Sequence, residues 1–134
     1  MYETLDLYID GAFGPAVNGK AQDVVNPATA KVLARVPLAA TTDLDAAVAA
    51  ADRGFKVWRR VSSFERAKLM RKVADNIRAR LEHIATCLTQ EQGKPLVEAR
   101  QEINASADVM DWFADEGRRA YGRIIPARAD GIRQ

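Results

Sequence analysis

Apolar and polar positions divide the chain near residue 40: short apolar runs broken by turn-formers come first, and a helical period follows. Leu7, Tyr8 and Ile9 precede Asp10-Gly11, and Ala12-Phe13 come after it. Asp-Gly between apolar residues predicts a hairpin, because both central residues tolerate positive φ. Gly14-Pro15 and Asn18-Gly19 mark a second turn. A short strand over 22–25 then meets the turn Asn26-Pro27-Ala28-Thr29-Ala30, and a strand over 31–36 places Val32, Ala34 and Val36 on one face before Pro37. From Thr42 the period becomes about 3.6. Thr42 with Asp45 reads as a capping-box-like opening, followed by the stripe Leu44, Val48, Ala51, Phe55 and Trp58. Ser62 with Glu65 opens a second helix, whose stripe runs through Met70, Val73, Ala74, Ile77, Leu81, Ile84, Ala85 and Leu88 and closes near Gly93. Pro95 suits the first turn of a third helix, with Ala99, Ile103, Ser106, Met110, Phe113 and Gly117 on one face. The pattern thus predicts strands over 6–37, helices over 43–58, 62–92 and 95–121, and an extended segment starting at Ile124-Ile125-Pro126.

This order is unusual for a self-contained domain. The strands are few and lie at one end, and three helices follow with no strand between them. The closing extended segment has no evident partner, and such segments usually add to a sheet elsewhere, in the same chain or another. The layout reads as part of something larger.

Composition narrows the function classes without naming one. The 134 residues are 48% hydrophobic and 28% charged, a globular balance with room for one modest core. No apolar run approaches the roughly 20 residues that span a bilayer, and the opening MYETLDLYIDG lacks the basic-then-apolar layout of a secretory signal. A membrane partner is therefore not expected. The single cysteine, Cys87, excludes an intramolecular disulfide, and with only one histidine, His83, no His-rich metal site can form. The expected compartment is the reducing cytoplasm. Twenty basic against eighteen acidic residues is too even a balance for a dedicated nucleic-acid binder.

Candidate chemistry is thin. Cys87 lies near the C-terminal end of its helix, where the helix dipole disfavours a thiolate, so a buried structural cysteine is the better reading. His83, four residues earlier, lacks a third group to orient a Cys–His pair. Arg59, Arg60, Arg66, Lys68, Arg71, Lys72, Arg78 and Arg80 could touch phosphates, yet Glu65, Asp75 and Glu82 interrupt them and no aromatic platform is interleaved; a solvated helix face accounts for them. Trp58, Trp112 and Phe113 have helical spacing that favours packing over a ligand cage. Gly11, Gly14 and Gly19 do not form a phosphate-cradling loop from strand into helix.

Several strings nevertheless resemble the amino-terminal portion of the aldehyde dehydrogenase superfamily. They are Val24-Val25-Asn26-Pro27-Ala28-Thr29, Ala34-Arg35-Val36-Pro37, Asp45-Ala46-Ala47-Val48 on to Trp58, Glu65-Arg66, Leu88 through Leu96 with Gly93-Lys94-Pro95, Glu98-Ala99, and Tyr121-Gly122-Arg123-Ile124-Ile125-Pro126. They cover nearly the whole chain in order. The stretch 89–102, with Trp112-Phe113-Ala114-Asp115-Glu116, is most similar to the succinate-semialdehyde dehydrogenase branch.

The resemblance implies an α/β fold: short β-hairpins, three helices and a terminal arm, together an incomplete part of a Rossmann-like cofactor domain. Residues 1–122 would be the first part of that domain and 123–134 the start of an arm through which subunits pair into a homo-oligomer. It implies NAD- or NADP-dependent oxidation of an aldehyde to a carboxylic acid, with succinic semialdehyde the aldehyde that the branch resemblance points to. In the family a cysteine thiolate attacks the aldehyde, hydride passes to nicotinamide, and a glutamate-activated water releases the acid. The family's nucleophilic cysteine, catalytic glutamate and cofactor motif have no counterpart within 134 residues, and Cys87 does not match the nucleophile. The chain alone is therefore expected to be inactive and to bind no cofactor tightly. Carried over residue by residue, the resemblance implicates Gln101, Ala105 and Val109 as walls of the substrate tunnel. It also implicates Glu91 and the Val25 carbonyl as ligands of a structural monovalent cation. The alternative is a free-standing, non-catalytic interaction module that kept this scaffold.

Overall fold

The computed structural model describes residues 5–122 and 131–132. The first hairpin pairs β1 (Leu7–Ile9) with β2 (Ala12–Gly14) in antiparallel register, Tyr8 opposite Phe13. Asp10 and Gly11 both take positive φ, 54° and 84°, the geometry that a two-residue hairpin turn requires. The Tyr8 and Phe13 rings sit 4.7 Å apart, a cross-strand aromatic contact. A second, separate antiparallel pair joins β3 (Ala21–Val25) to β4 (Val32–Pro37), with a register shift between Val24 and Val25. Asn26 organises the loop between them. Its side-chain oxygen accepts the Ala28 N–H at 2.9 Å, and its carbonyl accepts the Ala30 N–H at 2.8 Å. Val32 and Val36 remain exposed while Leu33 and Ala34 are half-buried, since nothing among the described residues covers this two-stranded ribbon as a second layer.

Four helices follow where three were predicted. Helix α1 spans Thr41–Trp58 and begins two residues before the expected start. The capping group is Asp43, not Thr42 with Asp45. Its carboxylate accepts the Ala40 N–H at 2.8 Å and reaches across the chain to the Val17 N–H at 3.2 Å, so one buried side chain starts the helix and ties it to the β-rich segment.

The single helix predicted over 62–92 is two: α2 (Ser63–Ala79), opened as expected by Ser62 accepting the Glu65 N–H, and α3 (Leu81–Gln92). The break is at Arg80, with φ −107° and ψ 15°. Its N–H bonds to the Ile77 carbonyl, and α3 restarts when Ile84 N–H reaches the Arg80 carbonyl. No glycine, proline or gap in the apolar pattern marks this place. The bend lets both α2 and α3 pack on one partner, α4 (Leu96–Glu116). That helix also differs from its predicted 95–121: Pro95 serves as N-cap, and the helix stops at Gly117, after which Arg118 folds its guanidinium 4.5 Å above the Phe64 ring.

The core of these helices is alanine. Ala67 and Ala74 of α2, Ala85 of α3, and Ala99, Ala107 and Ala114 of α4 are buried, and no large side chain is fully buried among the described residues. The seven-residue spacings 67–74 and 107–114 put small residues on facing stripes and let the helix axes approach closely. Of the buried positions on α4, Ala99 is where it was predicted, whereas Ala107 and Ala114 fall one residue later than the predicted Ser106 and Phe113. Ser106 instead bonds the Glu102 carbonyl, and Phe113 is 57% exposed.

Ion pairs flank the seam. Arg71 meets Asp115, and Arg78 bridges Asp108 (2.7 Å) and Asp111 (2.8 Å), which fixes α2 and α4 as antiparallel. Arg100 of α4 forks onto Glu82 of α3 through two bonds of 2.8 and 2.7 Å. The predicted arm over 123–134 lies outside the described residues except for 131–132.

Candidate functional site

The three predicted tunnel residues share one stripe. Gln101, Ala105 and Val109 follow at intervals of four on α4 and all are exposed, on the side of the helix opposite Ala99, Ala107 and Ala114. Trp112, 66% exposed, continues the same stripe. A helix that packs through one face and presents apolar residues on the other is built to line a second surface.

The two candidate cation ligands sit on adjoining turns. Val25 ends β3 and Glu91 lies in the last turn of α3, both exposed. Gly93, just beyond α3, has φ +77°, and a Cβ there would lie 3.0 Å from the Pro27 ring. The Asn-Pro turn and the Gly-Lys-Pro turn therefore press together, bringing the ends of β3 and α3 to one place. Beside them, the Thr89 hydroxyl and the Gln90 side-chain oxygen are buried without hydrogen-bond partners. No group of three or more His, Cys, Asp or Glu capable of holding a metal is present among the described residues.

The remaining candidates take structural places. Cys87 is half-buried on α3, and His83 is exposed. Arg71 and Arg78 are committed to the carboxylates of α4, so these two belong to an ion-pair seam and not to an open phosphate surface. Hydrogen bonds donated to Asp108 and Asp111 hold the Arg78 guanidinium above its ordinary pKa, and the Arg100 fork holds Glu82 below the usual carboxylate range. Trp58, Trp112 and Phe113 were predicted to pack, yet all three are exposed; what would cover them is not among the described residues. Sequence reasoning also placed Arg66 on a solvated face. The structure instead half-buries it, with its Nε shielded and lacking an acceptor.

A cleft of about 300 Å³ lies at the end of α4 among Phe64, Asp115, Arg118, Arg119 and Tyr121. A smaller one of about 110 Å³ lies between the end of α1 and the α2–α4 seam, against Trp58, Arg66, Met70 and Ala114. Neither gathers a nucleophile with a base. Gly11, Gly14 and Gly19 lie in the β-rich segment before α1, not in a strand-to-helix turn. No helix among the described residues is long and apolar enough to cross a membrane.

Comparison with known proteins identifies the scaffold. Residues 15–134 match the aldehyde dehydrogenase family. The chain belongs to that family. It is 39% identical over 133 residues to 4-(hydroxymethyl)benzenesulfonate dehydrogenase of Comamonas testosteroni, covering 99% of this chain and 28% of that protein. It is 41% identical to the NADP-dependent succinate-semialdehyde dehydrogenase of Escherichia coli K12, covering 88% of this chain and 24% of that enzyme. Among solved structures, an NADP-dependent enzyme of E. coli superposes with a TM-score of 0.93 at 38% identity, over 97% of this chain and 27% of that one. This aldehyde dehydrogenase chain thus spans about a quarter of the length of the relatives it matches. The mixed α/β fold expected from the resemblance is the fold observed.

Proposed function

We propose that these residues serve as the amino-terminal portion of an NAD- or NADP-dependent aldehyde dehydrogenase. The complete enzyme would oxidise an aldehyde bearing an anionic group, such as succinic semialdehyde, to the acid. One observation carries this reading: a family member spanning a quarter of its relatives' length leaves the apolar faces of α1 and α4 uncovered, including Leu44, Val48, Phe55 and Trp112. The anionic substrate class is supported by the two curated relatives, whose names specify a sulfonate and a succinate semialdehyde.

In this reading the stripe Gln101, Ala105 and Val109 walls the aldehyde tunnel. Glu91 and the Val25 carbonyl contribute to a monovalent cation site, completed by a ligand from elsewhere in the enzyme. The segment 123–134 begins the arm that pairs subunits of a homo-oligomer, and the enzyme works in the cytoplasm. In the same reading, nicotinamide chemistry and its binding groups belong to the rest of the enzyme.

Two measurements test this. The purified 134-residue chain, given succinic semialdehyde with NAD+ or NADP+, should produce no reduced nicotinamide above a matched blank; turnover would overturn the reading. Grafted in place of the matching segment of the E. coli enzyme, the chain should preserve succinic semialdehyde oxidation. A folded but inactive graft would favour the interaction module instead.

A further inference from the structure

Asn18, Asn26, Asn76 and Asn104 are the asparagines of this chain, and their surroundings differ in what the next residue's nitrogen is free to do. Asn76 and Asn104 lie inside α2 and α4, where the following N–H is held in a helical ladder. Asn26 is followed by Pro27, which has no N–H. Asn18 precedes Gly19 in an exposed turn between β2 and β3. Its side-chain oxygen accepts the Lys20 N–H at 2.9 Å, which folds the carboxamide back over the Gly19 peptide and polarises its carbonyl. Gly19 has φ +64°, and nothing lies within 4 Å of where a Cβ would stand, so no neighbouring side chain crowds that peptide. A single turn bond, to the Ala16 carbonyl at 3.0 Å, holds the Gly19 N–H. An exposed turn bond of this kind opens far more readily than a helix interior.

We propose that Asn18 is a site of spontaneous covalent modification, deamidating through a succinimide formed with the Gly19 nitrogen. The Gly19 amide gives its proton to water or hydroxide, and its nitrogen bonds to Cγ of Asn18. The Cγ–Nδ2 bond breaks and ammonia leaves, closing a five-membered imide. Negative charge gathers on Oδ1 during the attack, and the Lys20 N–H already points at that oxygen. Water then opens either imide carbonyl. Opening at Cγ yields aspartate, whereas opening at the main-chain carbonyl yields isoaspartate, whose backbone runs on through Cγ and is longer by a methylene. Water is the only reagent consumed, and ammonia the only product released. The two outcomes differ because the turn is pinned on both sides: Asp43 holds the Val17 N–H at 3.2 Å, and the Lys20 carbonyl accepts the Leu38 N–H at 2.9 Å. Aspartate keeps the backbone length and an oxygen for the Lys20 N–H. Isoaspartate adds a carbon between the pins, so one of them must give, loosening the β-rich segment from α1 or from the end of β4.

The test incubates the purified chain in warm, mildly alkaline buffer beside the synthetic peptide Ala-Val-Asn-Gly-Lys, and follows amide-to-acid conversion by mass spectrometry of tryptic peptides. The peptide 1–20 should convert at least about tenfold faster than those carrying Asn76 or Asn104. Asn18→Gln, whose imide would need a six-membered ring, should leave that peptide unconverted. After chromatographic separation, the isoaspartate form should unfold at lower urea than Asn18→Asp, which carries the same charge on a backbone of native length. Conversion first at another asparagine, or an intact Asn18 once the synthetic peptide has fully converted, would overturn the site. An isoaspartate form as stable as Asn18→Asp would overturn the pinned turn.

Discussion

Replacing Ala107 by leucine tests the alanine seam directly. Ala107 is fully buried on α4, the helix that packs against α2, whose own buried positions Ala67 and Ala74 are also alanine. Three added carbons would bring about 2.4 kcal/mol of burial if they could be accommodated, at about 0.8 kcal/mol per methylene. They cannot be placed without moving two helices apart and stretching the Arg78 bridge to Asp108 and Asp111. Overpacking of this kind costs a net of about 1–3 kcal/mol. Helix propensity does not confuse the result, because leucine is nearly as good a helix former as alanine. Ala105→Leu, on the exposed face of the same helix, is the control and should stay within about 0.5 kcal/mol of the parent. Urea unfolding followed by circular dichroism reads the difference as a midpoint shift, and heating should lower Tm by roughly 8 °C for about 2 kcal/mol. If leucine is tolerated equally well at 107 and 105, the helices do not meet through this seam and the packing argument fails.

Other expectations follow from single contacts. Asp43→Ala should cost about 2 kcal/mol in urea unfolding, because the Ala40 and Val17 N–H groups lose their acceptor, and Asp43→Asn should cost less by keeping one oxygen. Gly93→Ala should destabilise by at least about 1 kcal/mol, and a Pro27→Ala background should relieve only part of that, removing the clash but not the positive φ; full additivity would refute the contact. The Arg100 fork depresses the folded-state pKa of Glu82, so the stability it adds is present above the ordinary carboxylate pKa and is lost as pH falls through the lower folded value. Glu82→Gln should therefore lower the urea midpoint slightly at about pH 7 and leave it unchanged near pH 2, with added salt shrinking the difference.

Local elements were legible in the residues that make them. Asp10-Gly11 specifies its turn because both residues accept positive φ, and Asn26 specifies the next loop through its own side-chain oxygen. Ser62 announces the start of α2 by the same logic. The errors arose where distant residues decide. Nothing between Ala79 and Leu81 signals the break at Arg80, which exists because one helix must carry two. Thr42 was a plausible cap until Val17 drew Asp43 into that role. The candidate stripe Gln101, Ala105 and Val109 came from family resemblance, and the structure added that it faces away from the alanine seam.

The sequence by itself determined where the hairpins turn, roughly where helices run and which family the strings resemble, since turn chemistry, periodicity and motif order are local properties. Only the tertiary structure decided which apolar faces meet. Ala107 and Phe113 lie six residues apart on one helix, and period alone does not say which of them faces a neighbour. The buried seam went to alanine, whose small side chain lets α2 and α4 approach closely, while the larger Phe113, Trp112 and Phe55 were left outside. Arg66 shows the same division: its charge is plain in the sequence, but its shielded, acceptor-less position emerges only from the packing of α1, α2 and α4 around it.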